Sequence, residues 1–242
     1  MRKGVITSGS LQSCVAVDVS NTFMPLSDPK PCRFAVLISG QGSNLRQIVD
    51  VSRQNGVSAD FCLIASNQLD APGLDWAREA GLPTAALSHR DFASREQFDE
   101  ALAQVIEAHE PDYVLLAGFM RILTPAFVKR FEGRLVNIHP SLLPAFAGLH
   151  THERALQARV GWHGCTVHFV TDELDHGPII AQAALAVHPN DTASSLAHRV
   201  LELEHKLYPR VVRWLADGQV LLNKDNQVDL RDVGERHLWS QA

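Results

Sequence analysis

Three side chains able to move protons and stabilise an anion stand at the ends of apolar runs. Asn137 and His139 close the segment LVNIH, and Asp175 lies in TDELDHGPII. Strand side chains alternate between faces, so Asn137 and His139 point to one side and Ile138 to the other. Pro140 and Pro144 follow and stiffen the exit from the strand. An amide and an imidazole can both donate to a developing oxyanion, and a carboxylate can move a proton directly or through water. Together they suit transfer of an acyl or formyl group to an amine by direct attack. No G-x-S-x-G motif asks for a covalent intermediate. A blander reading stays open on these residues alone: a core histidine satisfied by a neighbour, beside an amide that caps a turn.

Two further stretches carry chemistry. Gly40, Gly42, Ser43 and Asn44 lie between an apolar run and a helical one. Glycines there permit a tight turn and bare backbone N–H groups, which suits an anion, and Ser43 and Asn44 can cap the helix or bind a ligand. The spacing is neither G-x-G-x-x-G nor G-x-x-x-x-G-K, so phosphate site and plain tight turn both remain. In AGFMRIL, Met120 and Leu123 read as packing residues, and Arg121 needs solvent or an anion nearby. His150 and His152 resemble a ligand pair, but no H-E-x-x-H or cysteine spacing supports a metal.

These residues need elements to hold them. FAVLIS, FCLIAS, TAALS, YVLLAG and LVNIH read as strands, and the first is apolar throughout, as in a strand buried on both faces. Amphipathic helices fall between them, one over about 94–109 with Ser94 and Gln97 as a candidate capping box. The alternation predicts a mostly parallel sheet covered on both sides. After His139 come a helix near 151–159, two strands at CTVHFVT and PIIAQAALAV that suit antiparallel pairing, and a helix over about 192–216. The domain reading is an N-terminal extension over 1–31 with a candidate strand at GVIT or CVAVDV, a catalytic domain over 32–222 and a polar, partly ordered tail over 223–242.

A chain of 242 residues, 45% hydrophobic, can bury a core unaided. A net charge of -5 argues against a non-specific nucleic-acid partner, and no apolar run is long enough to span a membrane. Cys14, Cys32, Cys62 and Cys165 show no C-x-x-C spacing and read as buried free thiols of a reducing cytoplasm.

VLISGQGSNL, LAGFMRIL, NIHPSLLPAFAGLHTHERAL, GCTVHFVTDELDHGPII and LEHKLYP together resemble the folate-dependent phosphoribosylglycinamide formyltransferases of purine synthesis, over roughly residues 33–222. The resemblance implies a Rossmann-like parallel sheet with a C-terminal β extension and a long terminal helix. It implies 10-formyltetrahydrofolate as co-substrate, glycinamide ribonucleotide as acceptor, no metal, and a cytoplasmic monomer or homodimer. By resemblance Asn137 and His139 polarise the formyl oxygen, and Asp175 relays the proton and supports His139. His168 lies close to the catalytic group. The nucleotide falls to Gly42, Ser43, Asn44 and Glu204. Folate falls to Arg95, Met120, Arg121, Ile122 and Leu123, to Asn137, and to the stretch from Val170 to Asp175. His176 stands where many relatives have a small residue.

Formyltetrahydrofolate deformylase and methionyl-tRNA formyltransferase are the rival expectations. The first carries a regulatory domain of roughly 80 residues before its catalytic domain, and the second an added tRNA domain. Neither fits the 31 residues before, or the roughly 20 residues after, the expected catalytic domain. A non-catalytic nucleotide-binding module is the third, disfavoured by the intact Asn137, His139 and Asp175.

Overall fold

Strand β1 (Cys32–Ile38) sends Phe34, Val36 and Ile38 to one hydrophobic cluster and Ala35 and Leu37 to another. That alternation is why an all-apolar run forms a central strand: each face meets its own layer of helices. The computed structural model describes residues 30–239. The predicted extension up to residue 29, with Cys14 and the candidate strands there, lies outside the described residues.

After β1 come helix α1 (Ser43–Gln54), β2 (Ala59–Ser66), α2 (Pro72–Glu79), β3 (Thr84–Ala86), α3 (Arg95–Glu107), β4 (Tyr113–Leu116), α4 (Pro125–Arg130) and β5 (Leu135–His139). Then follow α5 (Thr151–Gln157), β6 (Trp162–Phe169), β7 (Ile179–Ala186), α6 (Ala193–Ala216), β8 (Val220–Leu222), β9 (Val228–Leu230) and β10 (Leu238–Trp239). The main sheet runs β10-β7-β6-β5-β4-β1-β2-β3, and β8 and β9 form a separate antiparallel hairpin. Strands β1 to β5 pair in parallel, whereas β5–β6 and β6–β7 are antiparallel, as CTVHFVT and PIIAQAALAV suggested.

From β1 the chain winds outward through β2 to β3, then crosses back to β4 on the other side of β1, so the sheet has its switch point between β1 and β4. Ligands of open α/β sheets bind at the carboxyl ends of strands at such a point. Helix α6 locks this edge from one face. Its fully buried Tyr208 hydroxyl lies 3.1 Å from the Leu116 carbonyl at the end of β4 and 3.2 Å from the Val136 carbonyl within β5, tying both strands to α6. Ser94 caps α3 by accepting the Gln97 N–H, but Gln97 reaches back to the Ala93 N–H rather than to Ser94, so the box is only half formed.

The tail is more structured than its polarity suggested. It contains β9 and β10, and β10 pairs in parallel with β7 through Leu238 and Trp239. Arg236 donates to the carbonyls of Ile179 and Ile180. A short edge strand is held by backbone hydrogen bonds, which leave no hydrophobic period in the sequence. Cys62 and Cys165 are buried, Cys32 is half-buried, and all three are free thiols, with burial raising the pKa of each.

Candidate active site

Asn137 and His139 occupy the carboxyl end of β5. Val136 and Ile138 pack into the cluster beneath α6, so the pair faces the opposite side of the sheet. The antiparallel register sets His168 of β6 opposite Asn137 and Thr166 opposite His139. Four polar residues therefore share one face at the strand ends.

The hydrogen bonds settle which atoms are available. His168 Nδ1 lies 2.9 Å from the Phe169 carbonyl, which can only accept, so this nitrogen carries the proton. Its Nε2 is then a lone pair, and Asn137 Nδ2 donates to it at 3.3 Å. Burial, the largest influence, lowers the His168 pKa to about 4, so the ring is neutral near neutral pH. One Asn137 N–H is thereby fixed and the amide is oriented, leaving its second N–H to project elsewhere.

His139 is held from both sides. Its Nε2 lies 3.1 Å from the Phe146 carbonyl and therefore donates to it. Its Nδ1 lies 3.4 Å from Asp175 Oδ2, and both side chains are more than nine-tenths buried. That separation is longer than a charge-assisted hydrogen bond, so Nδ1 keeps room for another partner. Asp175 Oδ2 also accepts the Gly148 N–H at 2.8 Å, and Oδ1 faces His168 Nε2 at 3.9 Å.

The loops that place these groups are pinned by residues missing from the sequence reading. Thr166 accepts the Leu143 N–H at 3.0 Å and donates to the Ser141 carbonyl at 2.7 Å. Gln182 of β7 donates to Thr166 and to the Leu143 carbonyl. The Leu143–Pro144 peptide is cis. The polar alternation of CTVHFVT was the one signal that could have found Thr166. Asp175 has φ of 56°, and two residues on, a Cβ at Gly177 would stand 1.8 Å from the Phe169 carbonyl oxygen. The exposed His176 turns onto its own loop, its Nδ1 2.7 Å from the Leu174 carbonyl, away from the buried pair.

A cleft of about 300 Å³ opens at the switch point, lined by Ser39 to Asn44, Ala117, Gly118, Met120, Leu201 and Glu204. Gly42 is the N-cap of α1 at φ 67°, with no side-chain cap, and a Cβ there would come within 3.1 Å of Gly73 Cα. Ser43 and Asn44 thus do not cap the helix, and the first-turn N–H groups of α1 stay open to an anion. Asn44 instead donates to Glu204 Oε2 at 2.7 Å, 160 residues away, while its own Oδ1 is buried without a hydrogen-bond partner among the described residues.

Burial raises the Glu204 pKa to about 7 against the lowering effect of Asn44. A folded pKa above the ordinary 4.5 means the fold favours the protonated acid. The stability it contributes is complete below about 4.5 and is lost as pH rises through about 7. Glu204→Gln is therefore expected to leave thermal stability unchanged at pH 5 and to raise it at pH 8. The gain should be about 2–3 kcal/mol, or on the order of 5 °C in Tm. Thermal melts at the two pH values check this.

The predicted folate residues are spread. Met120 and Ile122 are exposed, Leu123 packs partly buried against the second hydrophobic cluster, and the Arg121 guanidinium lies over the Phe98 ring at 4.8 Å. Val170 donates to the Leu135 carbonyl beside β5. Arg95 is exposed on the first turn of α3, and no hydrogen bond or ion pair ties it to the other predicted residues among those described. His152 is hydrogen-bonded to the buried His163 at 3.2 Å, whereas His150 is exposed beside Glu153. Among the described residues, no group of three or more His, Cys, Asp or Glu is placed to hold a metal, and no helix is long and apolar enough to cross a membrane.

A mostly parallel sheet covered on both faces, with open backbone N–H groups at its switch point and Asn137, His139 and Asp175 gathered at the end of β5, is the arrangement of an α/β group-transfer enzyme. Residues 32–212 match the formyl transferase family, and the chain belongs to that family, among its phosphoribosylglycinamide formyltransferases. It is 49% identical over 190 residues to the phosphoribosylglycinamide formyltransferase of Escherichia coli, covering 78% of this chain and 90% of that one. The human trifunctional purine biosynthetic protein adenosine-3 is 42% identical over 226 residues, 93% of this chain but only 22% of that protein. The solved phosphoribosylglycinamide formyltransferase of Coxiella burnetii superposes with a TM-score of 0.79 at 44% identity, covering 86% of this chain and 99% of that one.

Proposed function

We propose that this chain transfers the formyl group of 10-formyltetrahydrofolate to the amine of N1-(5-phospho-D-ribosyl)glycinamide, a step in the building of purine nucleotides. The observation that carries the reading is the convergence of Asn137, His139, His168 and Asp175 at the end of β5, on a sheet edge that also bears an anion-ready loop. In this reading the phosphate sits at Gly42, Ser43 and Asn44, and Glu204 contacts the ribonucleotide. The folate lies along Met120 to Leu123 and the stretch from Val170 to Asp175, with Arg95 and Asn137 contributing.

The amine attacks the formyl carbon directly. The carbonyl oxygen gains the electron pair, and the N–H of Asn137 not held by His168 donates to it. For His139 to donate to that oxygen through Nδ1 while the Nε2 proton stays on the Phe146 carbonyl, both ring nitrogens must carry protons, a positive charge that the Asp175 carboxylate beside Nδ1 would balance. The attacking nitrogen sheds a proton and N10 of the folate gains one as its bond to the formyl carbon breaks. Asp175, beside Nδ1, relays that proton through water. Tetrahydrofolate and the formylated ribonucleotide leave. The free thiols among the described residues support a cytoplasmic setting.

The test is folate release on mixing the protein with both substrates. Release should need the ribonucleotide. Release with folate alone would instead indicate a deformylase, and no release at all would sink the proposal.

A further inference from the structure

Ser39 and Asn67 lie outside every predicted site residue, yet they join the two loops assigned above to the two substrates. Ser39 is the last residue before Gly40. Its N–H donates to the Gly118 carbonyl at 3.1 Å, and its hydroxyl accepts the Met120 N–H at 2.8 Å. The hydroxyl proton goes to Asn67 Oδ1 at 2.6 Å, and Asn67 is only 4% exposed. Asn67 in turn faces His89 Nδ1 with its side-chain Nδ2 at 3.4 Å and its backbone carbonyl at 3.3 Å. The His89 ring meets Phe98 edge-on at 6.3 Å, and Phe98 carries the Arg121 guanidinium. Both Met120 and Arg121 thus trace back to one buried amide.

Ser39, Gly118 and Met120 also line the same cleft as Gly42, Ser43, Asn44 and Glu204. The Met120 backbone N–H is fastened while the residue stays 74% exposed, open to a ligand. The Ser39 hydroxyl therefore holds the loop before α1 and the loop after β4 to one another, and a shift of either loop on binding a ligand would be passed to the other through it.

We propose that Ser39 and Asn67 are positioning residues that couple the two substrate subsites, so that each substrate binds more tightly when the other is present. The inference rests on the proposed assignment of the two loops. Its test uses the full chain with tetrahydrofolate, which carries no formyl group to transfer, and glycinamide ribonucleotide. The measured quantity is the ratio of tetrahydrofolate dissociation constants without and with saturating ribonucleotide.

For the wild type the expected ratio is about five or more. It should fall below about two in Ser39→Ala and in Asn67→Ala, and Ser39→Thr, which keeps the hydroxyl, should restore it. A merely structural role would weaken both ligands and leave the ratio unchanged, and that result in either folded variant overturns the proposal. A wild-type ratio of one with both ligands bound overturns the coupling alone. Failure of the wild type to bind either ligand overturns the proposed function and the coupling with it.

Discussion

Asp175→Asn is expected to lower kcat by about 100-fold to 1000-fold while changing KM for either substrate by no more than about threefold. The substitution keeps the shape of the side chain, and an amide oxygen can still accept the Gly148 N–H now bonded to Oδ2. The fold of the loop should therefore survive. What is lost is the carboxylate 3.4 Å from His139 Nδ1, the one acidic group of the cluster. The loss corresponds to about 3–4 kcal/mol of transition-state stabilisation. Asn137→Ala should cost a similar factor, because it removes the proposed oxyanion donor, an amide oriented by His168. Steady-state rates of folate release measure both, and a loss of less than about tenfold in Asp175→Asn would remove it from the proton relay.

Gly177→Ala should be the most damaging single methyl in the site. The added carbon would stand 1.8 Å from the Phe169 oxygen and 2.8 Å from its carbonyl carbon, both backbone atoms of β6. No side chain can swing aside, so the strand or the loop must move. Phe169 also donates to the Pro178 carbonyl at 2.9 Å, and that bond would be stretched in the process. A destabilisation of about 3 kcal/mol is expected, read as a fall in Tm on the order of 10 °C. Because Asp175 lies two residues away, kcat should fall as well. His176→Gly, next door, is the contrast: its half-exposed ring bonds only to its own loop, so activity should stay within about twofold. Melts and rates of the two variants decide it. Equal behaviour would show that the Gly177 approach does not position Asp175.

Much of the fold was legible because its signals are local. Continuous apolar runs between amphipathic helices require a sheet buried on both faces. The break in rhythm after His139 marks where the sheet turns antiparallel. The tail escaped because β9 and β10 span three and two residues, too short to show a period. Ser43 and Asn44 are capping residues by type, but Gly42 in the left-handed region takes the cap position and Asn44 turns to a distant partner.

The sequence by itself determined that Asn137 and His139 share a face, that a glycine turn precedes α1, and that the chain resembles a formyl-transfer family. The first two follow from neighbours a few residues apart, and the third from short motifs each legible by itself. Only the tertiary structure decided that His168 stands across from Asn137, that His139 spends Nε2 on Phe146 and keeps Nδ1 for Asp175, and that Asn44 meets Glu204. Those partners are separated by 31, 7, 36 and 160 residues. Their meeting depends on strand register and loop path, and on burial that makes an unmatched polar atom costly. No local period records those conditions.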